Sequence, residues 1–235
     1  MSPARSALVS LVLSALVLGG CSQQQADAFM RNINKSGGLK QTLHDLREPT
    51  QAEEIEIGDG VAETLLGARP LLDDPDLQRY VNAVGMWVAQ QSKRPELPWH
   101  FGVNDSDHIN AFAAPGGYII VTKGMMKQLR NEAELAGVLG HEVAHVTQKH
   151  HLKALRKAAV VNLLSAGAAA ATAESRHAEL VQKLSAPTKD LYARGLDKAD
   201  EFEADRMGVV LSARAGYDPY GLPAVFHACQ RRSEG

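Results

Sequence analysis

Two histidines, four residues apart, enclose a glutamate in the segment "LAGVLGHEVAHVTQKHH", which runs from Leu135 to His151. Apolar residues at helical spacing surround them, so the segment is predicted to form a buried helix. On that helix His141 and His145 project from one face about one turn apart, where their imidazoles can bind a single metal ion. Glu142 lies beside them, where a carboxylate can take a proton from a metal-activated water without being a ligand itself. The pattern indicates a hydrolytic zinc site.

The alternative interpretation is a helix whose polar residues serve structure alone. Unpaired polar groups buried in a protein cost about 1 to 3 kcal/mol each. A structural helix would therefore gain little from burying two imidazoles and a carboxylate among valines. This comparison favours the metal site.

A third metal ligand is expected downstream, because a catalytic zinc site usually has three protein ligands and a position for water. The segment "DEFEADRMGVV", Asp200 to Val210, is predicted to form a second helix that carries four acidic residues. Glu201 and Asp205 are four residues apart and share a face, whereas Glu203 points about 200° away from Glu201. One carboxylate of that face can bind a metal while its neighbour orients a ligating histidine. Taken alone, these acids also fit a solvated acidic face.

Helices are expected to provide most of the framework that positions these residues. Three segments have apolar residues at helical spacing: Glu53 to Leu66, Pro75 to Gln91, and a helix that begins after Asn131. Two segments rich in aromatic or β-branched residues are the predicted strands: Pro98 to Asn104 and Gly117 to Thr122. Asp73 and Asp74 are possible caps of the helix from Pro75, and Asn131 is expected to cap the next one, with Glu134 three residues on as the other member of a capping box. Gly208 would let the acidic helix, Asp200 to Val210, approach a partner helix closely.

The N-terminus has the pattern of an export signal. Arg5 precedes an apolar run that ends in "LGGC", Leu18 to Cys21, and the run is shorter than the ~20 residues of a transmembrane helix. Its resemblance to a bacterial lipobox implies cleavage before Cys21 and lipid on that cysteine, rather than a plain secretory signal or an uncleaved anchor. Residues 1–20 are thus predicted to be a lipoprotein signal peptide, residues 21–48 a polar tether, and residues 49–235 one domain.

The composition excludes a polyanion-binding protein. Lys and Arg number 25 against 27 Asp and Glu, which gives a net charge of -2, and the cations are scattered along the chain. No nucleic acid partner is therefore expected.

With Cys21 acylated, Cys229 has no partner, so we expect no disulfide and a small buried hydrophobic residue at that position. The alanine-rich stretch from Ala158 to Ala173 is expected to pack on the domain as a helix and not to span a membrane. The segment from Glu174 to Asp190 is a candidate flap over the site.

Four motifs resemble one known family in the same order along the chain. They are "NAFAAPGGYIIVTKGMM" (Asn110 to Met126), "NEAELAGVLGHEVAHVTQKH" (Asn131 to His150), "EFEAD" (Glu201 to Asp205) and "AGYDP" (Ala215 to Pro219). From about Glu53 to the C-terminus the chain is similar to the M48 family of zinc metallopeptidases, in particular its bacterial lipoprotein members. The resemblance implies an α+β fold, mostly helical and zincin-like, with a small sheet whose edge strand lies beside the active-site helix.

The resemblance also implies roles for the candidate site residues. One Zn2+ per chain would be held by His141, His145 and Glu201, with Glu142 as the general base. Asp205 would contact a ligating histidine from its outer side. Asp197 and Lys198 stand where the family often has Ser and Arg. The role of the family's arginine is therefore not carried over to this chain. For the residue that stabilises the oxyanion, three candidates stay open: Tyr192, Arg194 and His227.

The strand "GGYIIVT" is a candidate substrate-binding element, mainly on the resemblance. Gly116 and Gly117 leave room for another backbone, and an edge strand that begins at Tyr118 could pair with an extended peptide. The alternative is an ordinary inner strand preceded by a turn.

The implied activity is endopeptidase cleavage of unfolded or misassembled periplasmic and outer-membrane proteins. The lipid on Cys21, together with Ser22 after it, would place the protein in the outer membrane, facing the periplasm. Its expected partners are protein or peptide substrates, the membrane, and possible outer-membrane assembly proteins. A function of another class is a zinc-stabilised periplasmic chaperone or assembly lipoprotein with little proteolysis. The presence of Glu142 favours the enzyme.

Overall fold

Helices form most of residues 48–165 and 195–233, which are the residues that the computed structural model describes. In chain order the helices are α1 (Gln51–Ala68), α2 (Pro75–Ala89), α3 (Lys123–Met126), α4 (Glu132–Thr147), α5 (His150–Ser165), α6 (Lys198–Arg214) and α7 (Gly221–Ser233). The strands are β1 (His100–Asn104), β2 (Ala111–Ala114) and β3 (Tyr118–Thr122). The predicted α+β fold, mostly helical with a small sheet, is confirmed.

The helices begin where capping side chains satisfy their free backbone N–H groups. Thr50 and Glu53 form a capping box at α1, and Asp74 accepts a hydrogen bond from the Leu77 amide at the start of α2. At α4 the Asn131 side chain accepts from the amide of Glu134 at 3.0 Å, as predicted. The Glu134 carboxylate does not return to the cap residue. It binds the amide of the preceding residue, Arg130, at 2.8 Å.

The sheet has the strand order β1-β3-β2, so the prediction of an edge strand at Tyr118–Thr122 is wrong. This segment is the central strand, parallel to β1 and antiparallel to β2, and Ile120 is paired with Gly102 on one side and Phe112 on the other. Alternating apolar residues predict a strand but do not show how many neighbours it has. Of the two outer strands in the described part of the chain, β2 (Ala111–Ala114) is the one that packs against α4.

Gly116 and Gly117 lie in the turn between two strands and not along the edge of the sheet. Pro115–Gly117 form a 3-10 turn between β2 and β3, in which Gly116 has φ 79° and Gly117 has φ 114°. L-residues rarely adopt these values. A Cβ on Gly116 would also lie 2.7 Å from the Cα of Ile55. The glycines therefore allow the turn to pack against α1.

Helix α4 lies at the centre of the core. It packs against α6, α7, α2 and β2, and its apolar face buries Leu135, Leu139 and Val143. Gly140 on α4 meets Gly208 on α6, where a Cβ on Gly208 would lie only 2.7 Å from the backbone nitrogen of His141. The close approach predicted for Gly208 is confirmed, and it brings the acids of α6 next to the histidines of α4.

Several sequence predictions concern residues outside the described ranges. They include the signal peptide and tether, Cys21, the candidate flap, residues 166–173 of the alanine-rich stretch, Tyr192 and Arg194. The chain contacts divide the protein into two units, and one of them, Pro49–Ala158 with His177–Gly235, contains every residue of the candidate site. The division into signal, tether and domain stays a prediction. None of the described helices has both the length and the apolar character needed to cross a bilayer.

Candidate metal centre

The two histidines of α4 face one another across one helical turn. Nε2 of His141 lies 2.9 Å from Nε2 of His145, and both rings are largely buried. The third predicted residue comes from α6: Glu201 Oε2 lies 3.6 Å from His141 Nε2 and 3.9 Å from His145 Nε2. Residues separated by some 60 positions in the chain thus present three ligand-type atoms to one point.

The separation of these atoms fits a tetrahedral metal. Ligands about 2.05 Å from a tetrahedral centre stand about 3.3 Å apart, and the observed separations of 2.9, 3.6 and 3.9 Å bracket that value. Two neutral imidazole nitrogens at 2.9 Å also direct their lone pairs at each other, which is unfavourable unless a proton or a cation lies between them. His141, His145 and Glu201 could therefore hold a metal ion.

The outer nitrogens of both histidines have protein groups beside them. Asp205 Oδ1 lies 3.0 Å from Nδ1 of His141, within ion-pair distance, although Nδ1 makes no hydrogen bond to it or to any other described residue. Nδ1 of His145 is hydrogen-bonded to Nδ1 of His150 at 3.0 Å. A hydrogen-bonded partner at the outer nitrogen can fix which ring nitrogen carries the proton and leave Nε2 free to bind a metal. The structure thus places Asp205 where the sequence predicted it.

Glu203 lies on another side of α6 from Glu201, as its helical position predicts. Its carboxylate also has protein contacts: it accepts a hydrogen bond from Gln148 and lies 3.4 Å from Nε2 of His150. This contact joins α6 to the start of α5 behind the two facing histidines.

The buried groups of the centre have shifted pKa values. Burial, opposed by the charge of His141 and assisted by the charge of Glu201, raises the pKa of Glu142 from 4.5 to about 7. Burial, together with the charges of the neighbouring histidines, lowers the pKa of His145 to about 2. Burial alone would lower the pKa of His141 too, but the carboxylates of Glu201, Glu142 and Asp205 outweigh it and raise the pKa. His145 is thus neutral at neutral pH, which is the form that binds a metal.

The centre opens into a cleft of about 240 Å³. Glu142 lines it beside His141, and β2 and α7 contribute residues to its wall, including Phe112, Leu222 and Phe226. The ring of Phe226 meets the ring of His141 edge to face, with centroids 6.0 Å apart. Helix α7 was not predicted from the sequence, although its residues form part of the cleft.

The structure also locates two further residues named in the sequence analysis, His227 and Cys229, and two histidines that were not predicted. His227 is exposed on α7 and does not line the cleft, so it is not brought to the centre as an oxyanion-binding group. Cys229 packs beside Val138 and Leu222 as a small hydrophobic residue, as expected, but it is half-buried and not fully buried. His150 and His151 adjoin His145, and neither was predicted. Their only sequence signal is the pair of histidines that follows the motif.

Comparison with known proteins identifies the family. The model for peptidase family M48 matches residues 75–231, well over half of the chain. The chain belongs to peptidase family M48. Its M48 domain is that of a metallopeptidase, a metal-dependent hydrolase, and the residues that could hold the metal are those that converge on the cleft.

Three relatives illustrate how the match is distributed. The beta-barrel assembly-enhancing protease of Escherichia coli (strain K12) is 29% identical over 225 residues, which cover 92% of this chain and 44% of that protein. The protein of the same name from Yersinia pestis is 29% identical over 226 residues, with the same coverage. The mitochondrial metalloendopeptidase OMA1 of Arabidopsis thaliana is 32% identical over 157 residues, 66% of this chain and 31% of that protein. The chain spans less than half the length of each of these relatives.

Replacement of the two glutamates of α6 distinguishes the face that binds metal. We predict that Glu201→Ala loses zinc and has a lower melting temperature, because a ligand and the folding energy supplied by metal binding are lost together. Glu203→Ala keeps a zinc stoichiometry near one, because its carboxylate lies outside the three converging atoms. Zinc per chain and melting temperature are measured on the full chain extracted in detergent. Full zinc in Glu201→Ala with zinc lost from Glu203→Ala would reverse the assignment.

Proposed function

We propose that this protein is a zinc-dependent endopeptidase of the bacterial cell envelope that hydrolyses unfolded or misassembled periplasmic and outer-membrane proteins. The observation that carries the proposal is the convergence of His141, His145 and Glu201 beside Glu142 in one cleft. Membership of family M48 supports the reaction class. The substrates are proposed from the export signal and from the names of the bacterial relatives.

The proposed metal ligands are His141 and His145 through Nε2 and Glu201 through a carboxylate oxygen. When bound, zinc supplies Lewis-acid activation of a water molecule and of the peptide carbonyl. Asp205 lies 3.0 Å from Nδ1 of His141, on the side of the ring away from Nε2, where a carboxylate can orient a ligating imidazole. The ligands therefore need little rearrangement to bind the ion.

Glu142 is proposed as the general base. This residue lines the cleft together with His141 and is buried, with 8% of its surface exposed. A pKa raised to about 7 makes it a stronger base than an exposed carboxylate and matches it to neutral pH. It would take the proton of the attacking water and deliver that proton to the amide nitrogen of the leaving segment.

The cleft wall suits an extended peptide with an apolar side chain. Part of the cleft lining is apolar and offers no charged group to a substrate: Val138, Leu222, Val225 and Phe226. Apolar side chains are buried in folded proteins and are exposed when folding or assembly fails. A cleft of this composition supports a preference for unfolded chains.

The location is proposed from the N-terminal sequence. The motif "LGGC" at Leu18 to Cys21 supports a lipid anchor, and Ser22 supports transfer to the outer membrane, with the catalytic domain facing the periplasm. Two of the relatives are named for enhancing beta-barrel assembly. Outer-membrane assembly proteins are accordingly proposed as partners.

The variant Glu142→Gln tests the enzymatic function. It preserves size and leaves the three proposed ligands in place, so we predict one zinc per chain. Cleavage of a denatured envelope protein should fall by about 100-fold or more, because general acid-base groups typically contribute 10²- to 10⁴-fold. Glu63→Gln, at an exposed position of α1, is the matched control and should cleave as the parent does.

The same experiment distinguishes a zinc-stabilised chaperone or assembly factor. If Glu142→Gln retains zinc and degrades the denatured protein as fast as the parent, the proposed enzyme is wrong. If parent and variant both leave the substrate intact but suppress its aggregation equally, the chaperone function replaces it.

The variant Cys21→Ser tests the anchor. Loss of the lipid should release the protein from the outer-membrane fraction, while cleavage of a denatured substrate in vitro is unchanged, because the polar tether separates Cys21 from the domain. Membrane fractionation and the cleavage assay are performed on the same preparation. Unchanged association with outer membranes would show that another element anchors the protein.

A further inference from the structure

A fully buried histidine outside the proposed ligand set contacts both helices of the centre. His150 is the first residue of α5 and follows Lys149, whose φ of 59° turns the chain between α4 and α5. Nδ1 of His150 lies 3.0 Å from Nδ1 of His145. On the other side of the ring, Nε2 lies 3.4 Å from Glu203 Oε2 and 3.7 Å from Asp200 Oδ1. Both ring nitrogens are thus in contact with polar groups.

The protonation of the two rings follows from the use of His145 as a ligand. If Nε2 of His145 gives its lone pair to the metal, its ring proton is on Nδ1, and that N–H donates to Nδ1 of His150. His150 then carries its own proton on Nε2, directed at the carboxylates of Glu203 and Asp200. Every donor in this chain of contacts has an acceptor.

We propose that His150 is a positioning residue for the metal centre, which holds His145 in the tautomer and orientation that bind zinc. The inference rests on the proposed function, since it requires that His145 is a ligand. Asp205 has the corresponding place beside His141, 3.0 Å from its Nδ1. Helix α6 would therefore contribute a ligand, Glu201, and also orient both histidines of α4, one directly and the other through His150.

The same residues also have the composition of a second metal site. His150, Asp200 and Glu203 bring their ligand-type atoms within 4.8 Å of one another. A metal there would need the lone pair of His150 Nε2, whereas Nδ1 already uses its lone pair to accept from His145. His150 would have to lose both ring protons to serve both contacts. The observed geometry therefore favours a hydrogen-bonded chain over a second ion.

Two replacements of His150 test this role. The side-chain oxygen of Asn can take the position of Nδ1 and accept from His145, so His150→Asn should keep zinc affinity within a few-fold of the parent. Leu has a similar size but no acceptor. His150→Leu should bind zinc about 10- to 100-fold more weakly, the usual effect of losing an outer partner of a metal ligand.

The measurement is competition with a chromophoric zinc chelator at one fixed pH, on full chains extracted in detergent, with the melting temperature of each metal-free form. A positioning role predicts that zinc affinity separates the two variants even where their metal-free melting temperatures are equal. Equal zinc affinity of His150→Leu and the parent would overturn the inference and leave the proposed function intact. A parent that binds no zinc would overturn both. Two zinc ions per parent chain, with one lost in both variants, would make His150 a ligand and also overturn it.

Discussion

The close contact between α4 and α6 is the constraint on which the centre depends. Gly140 and Gly208 have no side chains, so the two backbones meet where a Cβ on Gly140 would lie 2.8 Å from the carbonyl oxygen of Gly208. This distance places the Glu201 carboxylate within reach of His141 and His145. A wider separation would leave two histidines on one helix and a row of acids on another. The metal centre therefore depends on the close packing of these two helices.

The centre carries a stability cost that its chemistry requires. The raised pKa of Glu142, from 4.5 to about 7, means that the folded state disfavours the charged carboxylate. For an acid of this kind the cost is absent below pH 4.5, grows between pH 4.5 and 7, and is complete above that range. A group that is costly to ionise in the folded protein is also a stronger base. Shifted pKa values of this kind are common where side chains perform chemistry.

The sequence predicts those parts of the site that depend on local periodicity. The four-residue spacing of His141 and His145 defines one helical face whatever the surrounding fold. The same argument places Glu201 and Asp205 together and turns Glu203 away, and the structure agrees with all of these positions. Helix starts at Asp74 and Asn131 were also predictable, because capping is a local interaction.

The remaining features depend on contacts between distant segments. Whether Tyr118–Thr122 is a central or an edge strand is decided by its neighbours, and β2 is too short and alanine-rich to be recognised by itself. Helix α7 reaches the cleft only because it packs across α4. The contact of His150 with His145 depends on the turn at Lys149. None of these arrangements has a periodic signal in the sequence.

Zinc affinity after replacement of Gly208 by alanine tests the central claim most directly, namely that the α4 and α6 contact assembles the metal centre. The added methyl group must displace backbone atoms of α4, so Gly208→Ala should lower the melting temperature and weaken zinc binding together. Gly67→Ala is the matched control, because a Cβ on that glycine of α1 meets no atom within 4 Å; it should leave zinc affinity unchanged and stability equal or slightly higher. Zinc bound by Gly208→Ala as tightly as by the parent would contradict the account.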